Sequence, residues 1–318
     1  MMKIDLKKIG KFLPILGLII FAYVINQIGI DKIGYAFSQI PIHIFILACL
    51  PFFIRLILTV YKWQYLAKKQ KMYLDLKFLS KVAFISNFYG NIIPGGFGWH
   101  IKILYIKQKI KSSLEKCLTF SLIESTTGFM MGLFLGTIGA FVLIDHYPEL
   151  FSILLLISIA YAIIFVVFMK KSHGGKIFNL IVKIIIPKRF KEKLDKSIDS
   201  LYEDIPRIRD TIIPFILDFF VWIVLGFQVY IIATAFSIDI PFHIFVLIYI
   251  IAVLSVGLIP VSVGGLGIRE GTFVVLMVPF GVDPGVAFVI SLTGYIVNML
   301  IPTVIGMGFA LSERKLKL

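Results

Sequence analysis

Apolar runs long enough to cross a lipid bilayer recur from one end of the chain to the other, and they constrain its fold more than any other feature. Hydrophobic residues make up 59% of the 318 residues, charged residues only 16%, and the mean hydropathy is +0.96. A membrane-spanning helix needs about 20 mainly apolar residues. We therefore predict an all-α fold, a polytopic transmembrane helical bundle, with a single integral membrane domain over residues 1–318.

Six of the runs are predicted to be helices that cross the membrane. They are about Phe12–Ile28, Ile42–Tyr65, Cys117–Ile144, Leu150–Met169, Ile212–Phe236 and a last one from Asp283-Pro284 to about Leu311. No small-residue cleavage site follows the first run, so we expect a retained helix rather than a signal peptide. The third carries Gly128, Gly132 and Gly136 at four-residue spacing, which lets helices approach closely.

The distribution of positive charge predicts which loops lie in the cytoplasm. The net charge is +14, but the Lys and Arg residues lie in loops between spans, where the positive-inside bias and anionic headgroups account for them. We therefore expect a protein of the cell (plasma or inner) membrane with cytoplasmic termini and no nucleic-acid partner. Residues 170–210 are predicted to form cytoplasmic helices along the membrane surface. Cys49 and Cys117 form neither a disulfide framework nor a metal-ligand cluster.

The stretch 257–271 interrupts strongly apolar sequence with residues that break or charge a helix. It contains Pro260, Ser262 and the adjacent Arg269 and Glu270. Its five glycines are Gly257, Gly264, Gly265, Gly267 and Gly271. Backbone broken at membrane depth must be buried in protein or line a wet cavity, and ionisable residues there are functional by default. We therefore predict a binding site at this stretch.

A second broken stretch occurs earlier, at residues 87–102, with Pro94-Gly95-Gly96 near its centre. Basic segments precede and follow it; if both are cytoplasmic, residues 82–101 form a re-entrant hairpin that turns at Pro94-Gly95-Gly96. The later unit, residues 241–281, is predicted to dip in from the opposite face, because its second arm of about eleven residues is too short to span. Two such hairpins would form inverted repeats that meet near the bilayer centre and mark a binding site. Three crossings through distorted helices are the alternative.

At these motifs the chain resembles the lysylphosphatidylglycerol synthase transmembrane region family, whose members are also described as flippase-like. Residues 258–271 are similar to the family pattern P-x-S-x-G-G-x-G-x-R-E, and residues 91–98 to its N-x-x-P-G-x-x-G element. Of a Glu-Arg element that members often carry, this chain retains only the glutamate, Glu124. It has Trp99-His100 where many members have Gly-Asp. The resemblance covers nearly the whole chain. It implies movement of lipids, aminoacyl-phospholipids or polyprenyl-linked sugars, between leaflets.

The candidate substrate-binding residues lie in and around the two motifs. They are Arg55, Asn87, Asn91, Gly95, Gly96, His100, Lys102, Glu124, Ser262, Gly264, Gly265, Gly267, Arg269 and Glu270. Arg269 would take a lipid phosphate through its planar fork, while Glu270 holds the arginine or competes for it. A structural pair that braces the break is the alternative, although adjacent helix residues point in different directions and need separate partners. The glycines of the later motif could form a nest of N–H groups for phosphate or simply permit tight packing.

The polar residues of the first motif each have a structural alternative. His100 and Lys102 would receive a headgroup at the cytoplasmic mouth, or anchor the chain at the interface beside Trp99. The amides of Asn87 and Asn91 would hydrogen-bond a headgroup, or tie broken helices together.

Three further ionisable or amide side chains lie in predicted spans. Glu124, a carboxylate inside a helix, is predicted to pair with Arg55 or to take part in proton coupling. Asp218 and Asn298 are weaker intramembrane candidates.

A lipid transporter is the function that these features favour most. The sequence has no H-E-x-x-H, G-x-S-x-G or Walker A motif, so we expect no enzyme activity, no cofactor, and lipid movement that is passive or driven by a gradient. The expected partners are an anionic phospholipid or polyprenyl phosphate and a separate synthase or glycosyltransferase; by itself the chain is not expected to be a synthase. The alternatives are a membrane-embedded enzyme with Glu270 or Glu124 as base, and a scaffold that binds such a partner through residues 170–210.

Overall fold

The computed structural model describes residues 19–170, 205–259, 262 and 264–312, and every regular element within these ranges is a helix. The predicted all-α class is therefore confirmed. The predicted start of the first helix, and residues 171–204 of the predicted surface helices, lie outside the described residues.

Within each described range the helices follow one another with short connections. In the described ranges the α-helices are α1 (Ile19–Ile28), α2 (Ile30–Ser38), α3 (Ile42–Lys69), α4 (Leu76–Ile92), α5 (Lys102–Ile110), α6 (Leu114–Val142), α7 (Pro148–Met169), α8 (Ile212–Ala233), α9 (Phe242–Leu258), α10 (Ile268–Met277), α11 (Pro284–Tyr295) and α12 (Ile301–Ser312). The 3-10 segments are Pro94–Ile101, Ile208–Thr211, Thr234–Phe236 and Val278–Phe280. A π-helical turn, Ile296–Leu300, connects α11 to α12.

Five segments of the described chain are long and apolar enough to cross a membrane. They are Ile42–Lys69, Leu114–Val142, Pro148–Met169, Ile208–Phe236 and Pro284–Ser312. Each overlaps a predicted span, and large apolar side chains such as Ile153, Leu156 and Ile163 of α7 are exposed, as lipid-facing residues are. The chain is therefore a polytopic helical membrane protein.

Glycines let the central helices α6, α8 and α9 approach closely, as the spacing on α6 predicts. A Cβ on Gly132 of α6 would lie 2.5 Å from the Trp222 ring of α8. A Cβ on Gly226 of α8 would lie 2.5 Å from Val246 of α9. Since a larger residue at either position would push the helices apart, the close packing of these three helices depends on glycine at both positions.

Both predicted breaks in the helices are present. The 3-10 segment that follows α4 packs back on it so closely that a Cβ on Gly98 would overlap the Tyr89 carbonyl group. The second break separates α9 from α10. The re-entrant entry of the two units, and their relation as inverted repeats, stay predictions.

Candidate functional site

The two broken motifs, which are far apart in sequence, meet at one cavity of about 250 Å³, here called the Arg269 cavity. The first motif contributes Gly90, Asn91, Ile93 and Trp99, the second contributes Gly257, Ser262, Gly264, Gly265 and Arg269, and Val253, Val256 and Met299 complete the lining. The tertiary fold thus joins residues that the sequence places in separate halves.

Trp99 lines this cavity because a glycine of α4 leaves room for its indole ring. A Cβ on Gly90 would lie 2.5 Å from the Trp99 indole, so the ring packs directly against the α4 backbone. Gly90 therefore allows the Trp99 ring to form one wall of the cavity.

The loop before α10 depends on backbone angles that only glycine adopts without strain. Gly264, Gly265 and Gly267 have φ angles of 60°, 79° and 86°. A Cβ on Gly264 would also lie 2.7 Å from the Tyr295 hydroxyl. Left-handed backbone geometry costs other residues free energy, so these glycines fix the course of the chain past the cavity.

We expect Gly264→Ala to destabilise the protein by about 1–3 kcal/mol, because it combines a strained φ with a steric clash. The measurement is the thermal unfolding midpoint in detergent. Gly308→Ala is the matched control, since Gly308 lies in α12 without a positive φ, and a methyl group added there would meet no atom of the described residues within 4 Å. Equal midpoints for the two variants would contradict the predicted strain.

Arg269 and Glu270 are both buried and bind each other. Arg269 Nη2 donates to Glu270 Oε1, and the guanidinium lies 4.6 Å from the centre of the Tyr295 ring. Glu270 Oε2 accepts from the Gly267 backbone N–H at 2.7 Å. The expectation that the two charged residues need separate partners is wrong, because Glu270 folds back over the first turn of α10 as a capping residue and meets the arginine there.

The predicted N–H nest is smaller than expected. Gly264 and Gly265 line the cavity, but the Gly267 N–H already donates to Glu270. Gly267 and Glu270 therefore brace the break, so the structural alternative describes Glu270. Of the two charged residues, Arg269 is the one that lines the cavity.

Two buried polar atoms on the cavity lining have no hydrogen-bond partner among the described residues: Arg269 Nε and Ser262 Oγ. Leaving a buried donor unpaired costs roughly 1–3 kcal/mol. Such orphaned groups on a cavity wall are those that a bound ligand or water would satisfy.

The two asparagines of the first motif use their amide N–H groups within the protein. Asn91 Nδ2 donates to Thr303 Oγ1 and, at 3.4 Å, to the Met299 carbonyl oxygen, and so ties α4 to α12. Asn87 Nδ2 donates to the Ala83 carbonyl oxygen of its own helix at 3.0 Å. The Asn91 contacts fit the alternative that its amide ties helices together, whereas the Asn87 contact stays within α4 and joins no other helix.

A buried cluster of four charged side chains joins four helices beside the first motif. Lys62 Nζ lies 2.8 Å from Glu124 Oε1 and 2.6 Å from Asp218 Oδ1. Lys102 Nζ binds Glu124 Oε2 and lies 4.6 Å from the centre of the Trp63 ring. All four charged side chains are at least nine-tenths buried. With two lysines and two carboxylates, the cluster is neutral as a whole.

The cluster corrects two expectations. Glu124 pairs with two lysines and not with Arg55, whose Nη1 donates to Asn298 Oδ1. Lys102 lies inside the protein and not at an open mouth, because α6 supplies the carboxylate that stabilises its charge. Lys62 is the partner that sequence reasoning missed; a lysine within an apolar span is a signal that could have indicated it.

His100 is partly buried and contacts α6. Its Nδ1 lies 2.8 Å from Ser121 Oγ. Burial lowers the pKa of His100 below its ordinary value, and the nearby positive charge of Lys102 lowers it further, against the opposing effect of Glu124. Gly95 and Gly96 lie in the 3-10 segment at the predicted turn.

A bundle of apolar spans with a cavity at two broken helices defines a class of polytopic integral membrane protein with an internal cavity. The chain belongs to the family described as Lysylphosphatidylglycerol synthase TM region, whose model matches residues 10–306. The resemblance stated from the motifs is therefore confirmed.

Two curated relatives, both called UPF0104 membrane protein, are archaeal. The protein from Methanothermobacter thermautotrophicus is 23% identical over 306 residues, which cover 89% of this chain and 89% of that protein. The one from Pyrococcus horikoshii is 23% identical over 327 residues, which cover 96% of this chain and 97% of that protein.

Proposed function

We propose that this protein is a lipid transporter that moves a phospholipid or a polyprenyl-phosphate-linked lipid between the leaflets of the membrane. The observation that carries the proposal is the Arg269 cavity, where the two broken motifs place a buried guanidinium and the hydroxyl of Ser262. Among the described residues, neither Arg269 Nε nor the Ser262 hydroxyl has a hydrogen-bond partner. Both groups suit a phosphate, because guanidinium N–H and hydroxyl donors bind its oxygens.

The charges around the cavity favour reversible binding of a lipid phosphate, which transport requires, over very tight binding. Glu270 neutralises Arg269 and so avoids the large cost of an isolated buried cation. An arriving phosphate would share Arg269 with Glu270, which weakens its binding. A transport site must bind its substrate well enough to admit it and weakly enough to release it.

The two carboxylates proposed as catalytic bases in the alternative function are both engaged. Glu270 binds Arg269 and the Gly267 N–H, and Glu124 binds Lys62 and Lys102. Each carboxylate therefore already has buried partners within the protein. This observation favours transport over a membrane-embedded enzyme. The scaffold alternative depends on residues 170–210, most of which lie outside the described residues.

The proposal also covers the orientation of the protein, the energy source of transport and a partner enzyme. The termini would lie in the cytoplasm and the protein in the cell membrane, in keeping with the basic ends of the chain. Lipid movement would be passive or driven by an ion gradient, and a separate synthase or glycosyltransferase would supply or use the lipid.

The direct test is leaflet exchange in proteoliposomes that contain the purified protein. Labelled phosphatidylglycerol and polyprenyl phosphate are each followed, with and without imposed proton or sodium gradients, against protein-free vesicles. We expect exchange of at least one lipid above the protein-free rate, with the mass of the lipid unchanged. No exchange under any gradient would contradict transport, and a changed lipid mass would favour the enzyme.

A further inference from the structure

A second, smaller cavity of about 90 Å³ lies between α3 and α4 and is here called the Arg55 cavity. It is lined by Phe52, Arg55, Leu56, Thr59, Trp63, Ala83, Ser86, Asn87 and Trp99. Trp99 belongs to the lining of this cavity and of the Arg269 cavity. The indole therefore lies where the two cavities adjoin.

Three buried hydrogen-bond donors on this lining have no partner among the described residues. They are Arg55 Nε, Trp63 Nε1 and Ser86 Oγ. Trp63 is 4% exposed and Ser86 is 1% exposed, so bulk water does not satisfy them. A concentration of unpaired donors around one small cavity is the arrangement that a bound acceptor group would complete.

Among the described residues, Arg55 differs from Arg269 in having no carboxylate partner. Arg55 Nη1 donates to the neutral amide of Asn298, and no carboxylate of the described residues forms an ion pair with Arg55. Asn298 lies in the π-helical turn Ile296–Leu300, and such turns are frequent at functional sites. A cation whose Nε is buried and that lacks a carboxylate partner favours an anionic ligand.

We propose that the Arg55 cavity is a second phosphate site, next to the Arg269 cavity and separated from it by Trp99. The phosphate group of a lipid would accept hydrogen bonds from Arg55, Trp63 and Ser86. The cavity has room for a few water molecules or one phosphate group, but not for a complete headgroup. A lipid would thus have two successive positions for its phosphate along one path.

The surroundings of the cavity suit a phosphate that carries acyl or prenyl chains. Phe53, Ile54 and Ile57 of α3 flank Arg55 in sequence, and each is more than half exposed on the outside of the bundle. The chains of the lipid can therefore remain against this apolar face while the phosphate occupies the cavity. The assignment of the anion to a lipid rests on the proposed transport function, whereas the anion site itself rests on the donors and the charge.

The test is a binding measurement on the purified full chain in detergent by isothermal titration calorimetry. The probes are dihexanoylphosphatidylglycerol, inorganic phosphate, and dihexanoylglycerol, which has the chains but no phosphate. We expect the wild-type protein to bind the short-chain phospholipid at two sites, and Arg55→Gln to weaken binding at one of them at least tenfold. Dihexanoylglycerol is expected not to compete. Arg209→Gln makes the same change at an exposed arginine and is expected to leave binding unchanged.

Ser86→Ala keeps the test decisive if Arg55→Gln fails to fold. Its hydroxyl has no partner among the described residues, so removing it is expected to leave the unfolding midpoint unchanged or raise it, while phospholipid binding weakens severalfold. A purely structural role of the polar groups predicts no change in binding. Unchanged binding in folded Arg55→Gln, or in Ser86→Ala, overturns the second site.

The outcomes separate this inference from the proposed function. Arg55-dependent binding in a protein that exchanges no lipid would support the anion site and contradict transport. Lipid exchange by a protein whose binding is insensitive to Arg55 and Ser86 would support transport and overturn the second site. Arg55-dependent binding of inorganic phosphate without binding of the phospholipid would support an anion site and overturn its assignment to a lipid.

Discussion

Replacing Glu124 by glutamine is expected to lower the free energy of unfolding by about 3–5 kcal/mol, the usual cost of removing one partner from a buried ion pair. Glu124 is the carboxylate that bridges Lys62 and Lys102. With glutamine in its place, Lys62 keeps Asp218, but Lys102 loses its only carboxylate contact within the described residues. The result would be an excess positive charge in the interior. The measurement is unfolding by sodium dodecyl sulfate in mixed micelles.

Two further variants separate the effect of charge from other effects of the substitution. Glu149→Gln makes the same change at an exposed carboxylate in the first turn of α7 and is expected to cost less than about 1 kcal/mol. Lys102→Met combined with Glu124→Gln leaves the Lys62–Asp218 pair and restores neutrality. The double variant is therefore expected to recover part of the lost stability. If it is less stable than Glu124→Gln alone, the charge imbalance is not the cause.

Arg269→Gln is expected to slow lipid exchange in proteoliposomes by about tenfold to a hundredfold. A hydrogen bond to a charged group contributes about 1.5–3 kcal/mol, and glutamine removes both the charge and the Nε donor of the arginine. Glutamine is chosen over alanine because it retains an amide that can still bind Glu270. The readout is the initial rate of exchange of the labelled lipid that the wild-type protein moves best.

The interpretation depends on controls for folding and for general loss of charge. Arg209→Gln, the same change at an exposed arginine, is expected to exchange lipid at the wild-type rate. The Arg269→Gln protein must also elute as a single species of wild-type size. Equal exchange by folded Arg269→Gln and the wild-type protein would remove Arg269 from the mechanism while leaving transport in place.

The elements that sequence reasoning predicted well depend on local patterns. The span predicted at Ile42–Tyr65 is observed as Ile42–Lys69, and the one at Leu150–Met169 as Pro148–Met169. Lipid imposes a minimum apolar length on a spanning helix, so these elements can be read along the chain. The two breaks could also be predicted from the local sequence, because proline and clustered glycines interrupt helices wherever they occur.

The partners of the charged residues were not predictable in the same way. Adjacent Arg269 and Glu270 were expected to point apart, but a capping contact to Gly267 turns the glutamate toward the arginine. Arg55 was one predicted partner of Glu124, the other expectation being a part in proton coupling, whereas the fold pairs Glu124 with two lysines. Helical periodicity predicts the face of a helix on which a residue lies. It does not predict which other helix packs against that face.

The sequence by itself determined the membrane class, most of the spans, the two breaks and the family, because apolar length and helix-breaking residues act locally. Only the tertiary structure decided that the breaks share one cavity, that Lys62 and Asp218 complete a neutral cluster with Glu124 and Lys102, and that Arg55 has no carboxylate beside it among the described residues. These pairings depend on how closely helices approach. That approach is set by glycines such as Gly132 and Gly226 on α6 and α8, which contact residues far away in the chain.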